Sequence, residues 1–311
     1  MTAVSKVMHV LVTGGNGYVG KYVLAELVRR RIQVTTLAHE DRPVPGEIKH
    51  AGRVVVGDIL QKESIRFALD GVDAVIHLAA AVRISDAKRN FDVNLQGTRN
   101  LIDVCQEARV GRVIFTSSVS VLKRKRGPYG ESKLQAEKLF EQSSLDYTIF
   151  RPEMIYGLEG KGINNVIRYT LGFPFVIPLI GNGRWIRQPV SVNDVARVLV
   201  ESIENRRTFR KIYPLAGGDK VQFRELVDMI ALAAGVRKVK ICLPVWLCYW
   251  SAVVMERLLR NPPFTSENVR SLSQNTEMDI SEMVQDTGFQ PTSLSAGINR
   301  LVGEMKENGL I

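Results

Sequence analysis

The stretch Thr13-Gly14-Gly15-Asn16-Gly17-Tyr18-Val19-Gly20 directly follows an apolar run at residues 7–12, and it decides the fold. The run has the composition of a buried strand, and apolar residues recur at helical spacing after the glycines. Glycines between a strand and a helix let the backbone turn sharply and approach a pyrophosphate, which then faces the helix N-terminus. The stretch therefore predicts a dinucleotide-binding turn with cofactor contacts from Gly14, Asn16, Gly17, Tyr18, Val19 and Gly20.

Strand-like apolar runs alternate with helix-like segments from residue 7 to about residue 151. This alternation is typical of a doubly wound parallel sheet. The predicted strands are residues 7–12, 34–37, 54–56, 74–78, 112–116 and 147–151. Ligands of such sheets bind outside the carboxyl ends of the strands. We expect the functional residues at these ends, near Gly14, Asp58, Leu78, Ser118 and Arg151.

The pattern changes after residue 152 to loops rich in glycine and proline, followed by several helix-like segments. Residues 1–152 are predicted to form a Rossmann-type α/β domain with a doubly wound parallel sheet. Residues 153–189 and 216–311 are predicted to form a smaller, mainly helical C-terminal cap that binds substrate. Residues 190–215 combine a helix-like with a strand-like segment, and we expect them to return to the first domain.

Composition narrows the functional classes. The chain has 311 residues, of which 45% are hydrophobic, three cysteines without metal-ligand spacing, and no signal-peptide pattern. A cytoplasmic protein without a metal site is therefore expected. The formal net charge is +10, but the basic residues are scattered and no nucleic-acid-binding motif accompanies them. A small-molecule substrate is favoured over nucleic acid, and an anionic group on that substrate would suit the positive charge of the chain. Binding of membrane or nucleic acid through the basic surface is the weaker alternative.

The longest apolar stretch, residues 245–255, has about half the length that a bilayer crossing needs, so no transmembrane segment is predicted. It contains an apolar stripe at helical spacing, formed by Trp246, Leu247, Trp250, Val253 and Val254. Such a stripe packs into a core, pairs with a second copy or contacts a membrane interface. A core or dimer role is favoured here over the membrane contact.

Tyr129 and Lys133 lie one helical turn apart, in a segment that Gly127 and Pro128 mark as a helix start. A tyrosine with its ordinary pKa of about 10 is a poor base at neutral pH, but a nearby ammonium group favours the phenolate. Tyr129 is therefore a candidate for proton transfer with a substrate hydroxyl or carbonyl. Lys133 is a candidate for tuning Tyr129 and for binding the nicotinamide ribose.

Two other strand ends carry candidate residues. The predicted strand at 112–116 ends in Thr116-Ser117-Ser118, which places a hydroxyl where it can orient a substrate oxygen; a simple turn is the alternative.

The second strand ends near Ala38 without the acidic residue that would bind the ribose hydroxyls of NAD, and His39 and Arg42 follow it. We therefore favour NADP, although Glu40 and Asp41 keep NAD open.

Together these motifs resemble an extended or atypical short-chain dehydrogenase/reductase, a group that includes NAD(P)-dependent nucleotide-sugar epimerases and dehydratases and 3β-hydroxysteroid dehydrogenases. The resemblance covers nearly the whole chain. It rests on residues 13–20, Gly57-Asp58-Ile59, His77-Leu78-Ala79-Ala80, Asn94 with Gly97-Thr98, Ser117-Ser118, residues 129–133, Arg151-Pro152 and residues 190–196.

The resemblance implies hydride transfer at a secondary alcohol or carbonyl carbon, in an oxidoreductase or an epimerase. It implies that Ser118 orients the substrate oxygen, with Ser117 a lesser candidate, that Tyr129 is the acid/base, and that Asn94 braces the site. A homodimer is implied as well. Further cofactor contacts are implied for Asp58, Ile59, Leu78, Ala79, Ala80, Thr116, Tyr129, Lys133 and Pro152.

Two features bear on the substrate. The basic run at residues 123–126 replaces a Tyr-Gly that often follows the serine motif in epimerases; it either holds an anionic group or is a solvated loop. Arg187 falls where sugar-nucleotide enzymes of this group use an arginine on the diphosphate, so Arg184 and Arg187 are substrate candidates, with an arginine that packs the domain junction as the alternative. A nucleotide sugar is the substrate considered first. The rival function is a non-catalytic cofactor-binding sensor or assembly subunit.

Overall fold

The computed structural model describes residues 7–39, 52–82, 86–259 and 265–311. These residues form two compact units with separate hydrophobic cores. The first unit comprises the described parts of residues 1–152, 192–215 and 280–290, and the second comprises those of residues 153–191, 216–279 and 291–311.

The strands are numbered along the chain. They are β1 (His9–Thr13), β2 (Gln33–Ala38), β3 (Arg53–Val56), β4 (Ala74–His77), β5 (Arg112–Thr116), β6 (Asp146–Pro152), β7 (Ile155–Tyr156), β8 (Val176–Ile180), β9 (Ile186–Arg187), β10 (Val190–Ser191), β11 (Lys211–Leu215), β12 (Val221–Gln222) and β13 (Val239–Leu243).

The helices are numbered in the same way. They are α1 (Tyr18–Arg29), α2 (Lys62–Ala68), α3 (Ala87–Phe91), α4 (Gly97–Glu107), α5 (Pro128–Gln142), α6 (Lys161–Gly172), α7 (Val192–Glu201), α8 (Phe223–Ala234), α9 (Val245–Leu258), α10 (Ser266–Leu272), α11 (Ser281–Thr287) and α12 (Leu294–Glu307). A π-helix (Asp92–Gln96) joins α3 to α4, and short 3-10 helices span Val119–Leu122 and Arg206–Thr208.

Seven of the described strands form a parallel sheet at the centre of the first unit, in the order β3-β2-β1-β4-β5-β6-β11. Val10, Leu11 and Val12 of β1 are all inaccessible to solvent, as expected for a central strand whose two faces are both covered. The register sets Thr13 beside Leu37 and His77, so the loops after β1, β2 and β4 begin at one edge of the sheet. The predicted doubly wound α/β fold is confirmed.

Residues 280–290 belong to the first unit, whereas the sequence placed them in the C-terminal cap. The reason is a polar contact with β11: the Asp286 carboxylate accepts hydrogen bonds from Lys211 Nζ and from the Tyr213 hydroxyl, both at 2.6 Å. The return to the first unit begins at residue 192 rather than 190, because β10 pairs with β7 in the second unit.

The second unit combines helices with short two-stranded ribbons, in which β7 pairs with β10, β8 with β13 and β9 with β12. Its core lies between α6, α8 and α12, and Ile167, Leu226 and Ile298 are inaccessible to solvent there.

No helix within the described parts of the chain has the length and apolar character needed to cross a membrane. On α9, Trp246 and Trp250 are 65% and 60% exposed, so the predicted core role is wrong for these two residues.

Candidate functional site

The glycine turn after β1 has the shape that the sequence predicts. Gly14 has φ +73°, and a side chain there would bring a Cβ within 2.8 Å of the Ala79 nitrogen. A Cβ on Gly20 would lie 2.3 Å from the Gly14 oxygen. Gly17 N donates to Gly14 O at 2.9 Å and closes the turn at the start of α1. Both glycines are therefore required for the backbone path, and the turn leaves a cradle without side chains beside a helix N-terminus.

The first turn of α1 contains no acidic residue, which suits a bound anion. Asn16, Tyr18 and Val19, the other predicted cofactor contacts of this stretch, are half-buried around the same helix start. The residues of the turn therefore fit a pyrophosphate.

Two predicted cofactor residues from different strands meet at the next part of the sheet edge. His39 Nε2, after β2, lies 3.4 Å from Asp58 Oδ2, after β3. Asp58 Oδ1 accepts a hydrogen bond from Leu60 N, and Asn100 Nδ2 donates to the carbonyl oxygen of Ile59. This loop is therefore held in place by α4. The predicted residue Arg42, like Glu40 and Asp41, lies outside the described residues.

Asn94 joins the loop after β4 to the helix that carries Tyr129. Its Oδ1 accepts from Ala81 N at 2.8 Å, and its Nδ2 donates to Ala81 O and to Ser132 Oγ, both at 3.0 Å. Ser132 Oγ in turn donates to the Tyr129 carbonyl oxygen. The predicted contacts Leu78 and Ala79 are half-buried in this loop, and Ala80 is exposed.

Sequence reasoning gave no role to His77, which is fully buried at the end of β4. Thr98 Oγ1 donates to Asn94 O at 2.6 Å, so its oxygen accepts from His77 Nε2 at 3.0 Å. His77 Nδ1 then accepts from the Thr13 hydroxyl at 2.7 Å. Burial, with the charge of Lys133 in addition, lowers the pKa of His77 well below its usual value. A neutral His77 thus ties the glycine turn to Asn94.

Tyr129 and Ser118 come together as predicted partners. Tyr129 is half-buried at the start of α5, and Ser118 lies close enough to act on its hydroxyl. Burial raises the pKa of Tyr129, and Ser118 opposes that rise. Ser118 Oγ also accepts from Ser120 N at 3.1 Å, which fixes the serine at the start of a 3-10 helix.

Lys133 lies one turn beyond Tyr129 and is only 1% exposed. Its Nζ stands 4.1 Å from the ring centroid of Phe115. Burial lowers the pKa of Lys133 to about 7, although the nearby Glu137 acts in the opposite direction. Glu137 is itself bound by Arg151, whose Nε and Nη2 donate to the two carboxylate oxygens at 3.0 and 2.6 Å. Lys133 is thus a buried amine whose proton is labile near neutral pH.

Three predicted residues lie at neighbouring strand ends. The hydroxyls of Thr116 and Ser117 are buried and, within the described parts of the chain, have no hydrogen-bond partner. Pro152 is buried at the end of β6. Buried hydroxyls without partners are unusual in a protein interior, so Thr116 and Ser117 fit a site that a polar ligand completes.

The two substrate candidates of the second unit differ in exposure. Arg187 is 1% exposed; its Nη1 donates to Thr276 Oγ1 at 2.6 Å and lies 3.9 Å from Glu153 Oε1. Burial lowers the pKa of Arg187, against the effect of Glu153. Arg184 is exposed. The assignment of both arginines to the substrate stays a prediction.

The basic run at residues 123–126 is partly tied down. Arg126 Nη1 donates to the carbonyl oxygens of Val121 and Lys123, and Arg126 Nε donates to Glu131 at 3.0 Å. Arg124 and Lys125 are exposed. Arg126 is exposed as well, so Arg124 and Lys125 are the exposed cations of the run for which no ion pair is described.

Comparison with known proteins places these observations among relatives. The sequence model of the NAD dependent epimerase/dehydratase family matches residues 10–216. The chain is 26% identical over 318 residues to the N-acetyl-alpha-D-glucosaminyl-diphospho-ditrans,octacis-undecaprenol 4-epimerase of Escherichia coli O157:H7, an alignment that covers 94% of this chain and 93% of that protein.

The chain is also similar to a subunit of an NADH dehydrogenase and to a solved structure with bound ligands. The mitochondrial NADH dehydrogenase (ubiquinone) 1 alpha subcomplex subunit 9 of Dictyostelium discoideum is 27% identical over 305 residues, with 93% of this chain and 83% of that protein covered. The solved structure of MoeE5 in complex with UDP-glucose and NAD has a TM-score of 0.74 at 24% identity and covers 97% of this chain and 100% of that chain.

Proposed function

Because the chain belongs to the NAD dependent epimerase/dehydratase family, as its motifs predicted, we propose that it transfers a hydride at a secondary alcohol or carbonyl carbon of a small substrate. The bound nicotinamide supplies or accepts that hydride. If the product is an epimer, the hydride returns to the same carbon and the cofactor is regenerated; if it is a ketone or an alcohol, cofactor is consumed.

The cradle of the glycine turn carries the proposal for the cofactor. Gly14 and Gly20 leave room that a side chain would fill, beside an α1 N-terminus without acidic residues. The pyrophosphate would lie there, and Asp58 with Ile59 would hold the adenosine. The preference for NADP over NAD stays a prediction, because it depends on His39 and on Arg42.

Proton transfer is assigned to Tyr129. In reduction, the Tyr129 hydroxyl donates its proton to the substrate oxygen, and in oxidation the phenolate takes it back. Ser118, which lies beside the Tyr129 hydroxyl, holds the same substrate oxygen. Lys133 lies one turn away and has a pKa of about 7. Its amine binds the nicotinamide ribose, and its protonated form stabilises the Tyr129 phenolate.

A nucleotide sugar, or another sugar diphosphate, is the substrate class that we propose first. One relative is named for a sugar diphosphate linked to undecaprenol, and one solved structure of similar fold holds UDP-glucose. The exposed cations Arg124 and Lys125 of the first unit are candidates for the diphosphate. We propose a homodimer in the cytoplasm as the working form, which analytical ultracentrifugation and cell fractionation test.

The decisive experiment compares wild type with Tyr129→Phe. Turnover of UDP-glucose and UDP-N-acetylglucosamine is followed by NMR for epimers and by nicotinamide absorbance for net redox change. Tyr129→Phe should lower turnover by more than about 1000-fold, because it removes the proton carrier, and should change NADH affinity by less than about threefold. Tyr22→Phe, which removes a phenolic hydroxyl from α1, is the control. Turnover by Tyr129→Phe at the wild-type rate would refute this mechanism.

A non-catalytic subunit is the second candidate, and one observation favours it. The Dictyostelium relative is named as a subunit of NADH dehydrogenase. Under this alternative the wild-type chain binds NADH or NADPH in a fluorescence titration but turns over no sugar nucleotide or secondary alcohol, and Tyr129→Phe has no measurable consequence.

A further inference from the structure

Helix α9 is apolar on two opposite sides but buries only one of them. Cys248 and Ala252 are buried against Val269 of α10 in a small core of the second unit. The opposite side is exposed, with Trp246 at 65%, Leu247 at 40%, Trp250 at 60%, Val254 at 51% and Leu258 at 78%. We call these five residues the tryptophan face. A helix that is apolar all round is normally buried in a large protein or placed in a membrane, so this exposure needs an explanation.

The tryptophan face is a continuous stripe. At 100° and 1.5 Å per residue, it covers roughly 120° of the helix circumference and about 18 Å of its length. Arg257 is exposed within the same arc, in the last turn. Glu256 points to the other side and accepts a hydrogen bond from Ser266 N at 3.0 Å. The face therefore carries apolar side chains with a cation at one end.

We propose that the tryptophan face binds the surface of an anionic lipid bilayer, with α9 lying in the plane of the interface. The proposal is independent of the reaction proposed above. Tryptophan is enriched at the level of the lipid headgroups, because its ring is apolar and its N–H needs an acceptor. Neither Trp246 nor Trp250 donates its indole N–H to another described residue, and headgroups and interfacial water supply acceptors. A stripe about 18 Å long suits a helix lying in the interface rather than crossing a core of about 30 Å.

Charge suits an anionic bilayer as the occupant of the face. The chain has a net charge of +10, which attracts anionic lipid. Arg257, exposed on the face itself, is placed to meet lipid phosphates.

The area of the face argues against a dimer built on it alone. The five side chains are 40–78% exposed, and at about 200 Å² for a fully exposed large side chain they present on the order of 600 Å². Each partner in a standard stable interface contributes about 800 Å².

The test is co-sedimentation of the full chain with vesicles of phosphatidylglycerol and phosphatidylcholine, and with pure phosphatidylcholine. Wild type should bind the anionic vesicles, and the double variant Trp246→Ser/Trp250→Ser should bind more than tenfold more weakly. The control is Phe175→Ser/Leu232→Ser, which removes two residues of the same unit that are 78% and 82% exposed but lie outside the face. It should change binding less than twofold. Circular dichroism and NADH titration establish that each variant is folded.

Three results would overturn the proposal. Wild type could fail to bind anionic vesicles, the double tryptophan variant could bind as well as wild type, or the control could lose binding equally. In addition, light scattering in the absence of lipid measures the oligomeric state. A wild-type dimer that the tryptophan variant splits, without vesicle binding by either protein, would assign the face to self-association instead.

Discussion

Replacing Lys133 by Met tests the energetics of the candidate site directly. Lys133 is 1% exposed, and burial lowers the pKa of its ammonium group from 10.5 to about 7. One pKa unit corresponds to about 1.4 kcal/mol, so holding the charge inside destabilises the folded state by about 5 kcal/mol. At pH 7, where about half of the folded molecules have released the proton, the destabilisation is about 4 kcal/mol. A methionine has no charge to desolvate and avoids this cost.

The sign of the pH dependence follows from which state binds more protons. Between pH 7 and pH 10.5 the unfolded chain holds a proton on Lys133 that the folded chain has released. Wild-type stability therefore rises with pH across this window relative to that of Lys133→Met. The titration-dependent gap narrows from about 4 kcal/mol at pH 7 to less than about 2 kcal/mol at pH 9.5. Packing differences between the two side chains do not vary with pH and cancel in the comparison.

Urea unfolding, followed by far-UV circular dichroism at pH 7 and 9.5, measures this gap. Tryptophan fluorescence does not report on the first unit, because Trp185, Trp246 and Trp250 all lie in the second. Lys138→Met removes an exposed lysine from the same helix and should keep the wild-type pH dependence. An equal gap between wild type and Lys133→Met at the two pH values would refute the desolvation argument.

Three further outcomes are expected. Because burial raises the pKa of Tyr129, initial rates of reduction should be high at neutral pH, whereas oxidation should accelerate about tenfold per pH unit until that pKa is reached; a flat oxidation profile would contradict this. Arg112→Met removes a buried guanidinium that donates to Ile203 O and Ser202 O. Urea titration should show a free energy of unfolding lower by about 3 kcal/mol, and an unchanged value would show that these hydrogen bonds are dispensable. Gly20→Ala places a Cβ 2.3 Å from Gly14 O and should abolish NADH binding in a fluorescence titration of folded protein; unchanged affinity would exclude the turn as the pyrophosphate site.

Local patterns predicted the strands of the sheet well, because the apolar run that marks each strand is continuous in sequence. The strand predicted at 112–116 has those bounds, while the one predicted at 7–12 begins later, at His9, because Val7 is 58% exposed and unpaired with the sheet. Ser118 and Tyr129 come together because the fold brings the end of β5 to the start of α5.

Long-range polar contacts could not be predicted in this way. His77 binds Thr13 across 64 residues and Thr98 across 21, and no local pattern marks such a chain of hydrogen bonds. Likewise, Asp286 reaches Tyr213 across 73 residues, which draws α11 into the first unit. For α9 the helical spacing predicted a stripe, but a helix that is apolar all round does not reveal which side is buried.

The buried lysine bears on the choice between catalysis and nucleotide binding alone. Glu137 already has a bidentate partner in Arg151, so a Lys133 charge is not needed to neutralise it. Binding a ribose hydroxyl needs only a hydrogen-bond donor, which a neutral glutamine supplies without about 4 kcal/mol of destabilisation at pH 7. In the proposed mechanism Tyr129 carries the proton and a protonated Lys133 stabilises its phenolate, which a neutral glutamine cannot do. The burial of Lys133 thus fits the proposed proton transfer, and the turnover of Tyr129→Phe decides between that function and a passive subunit.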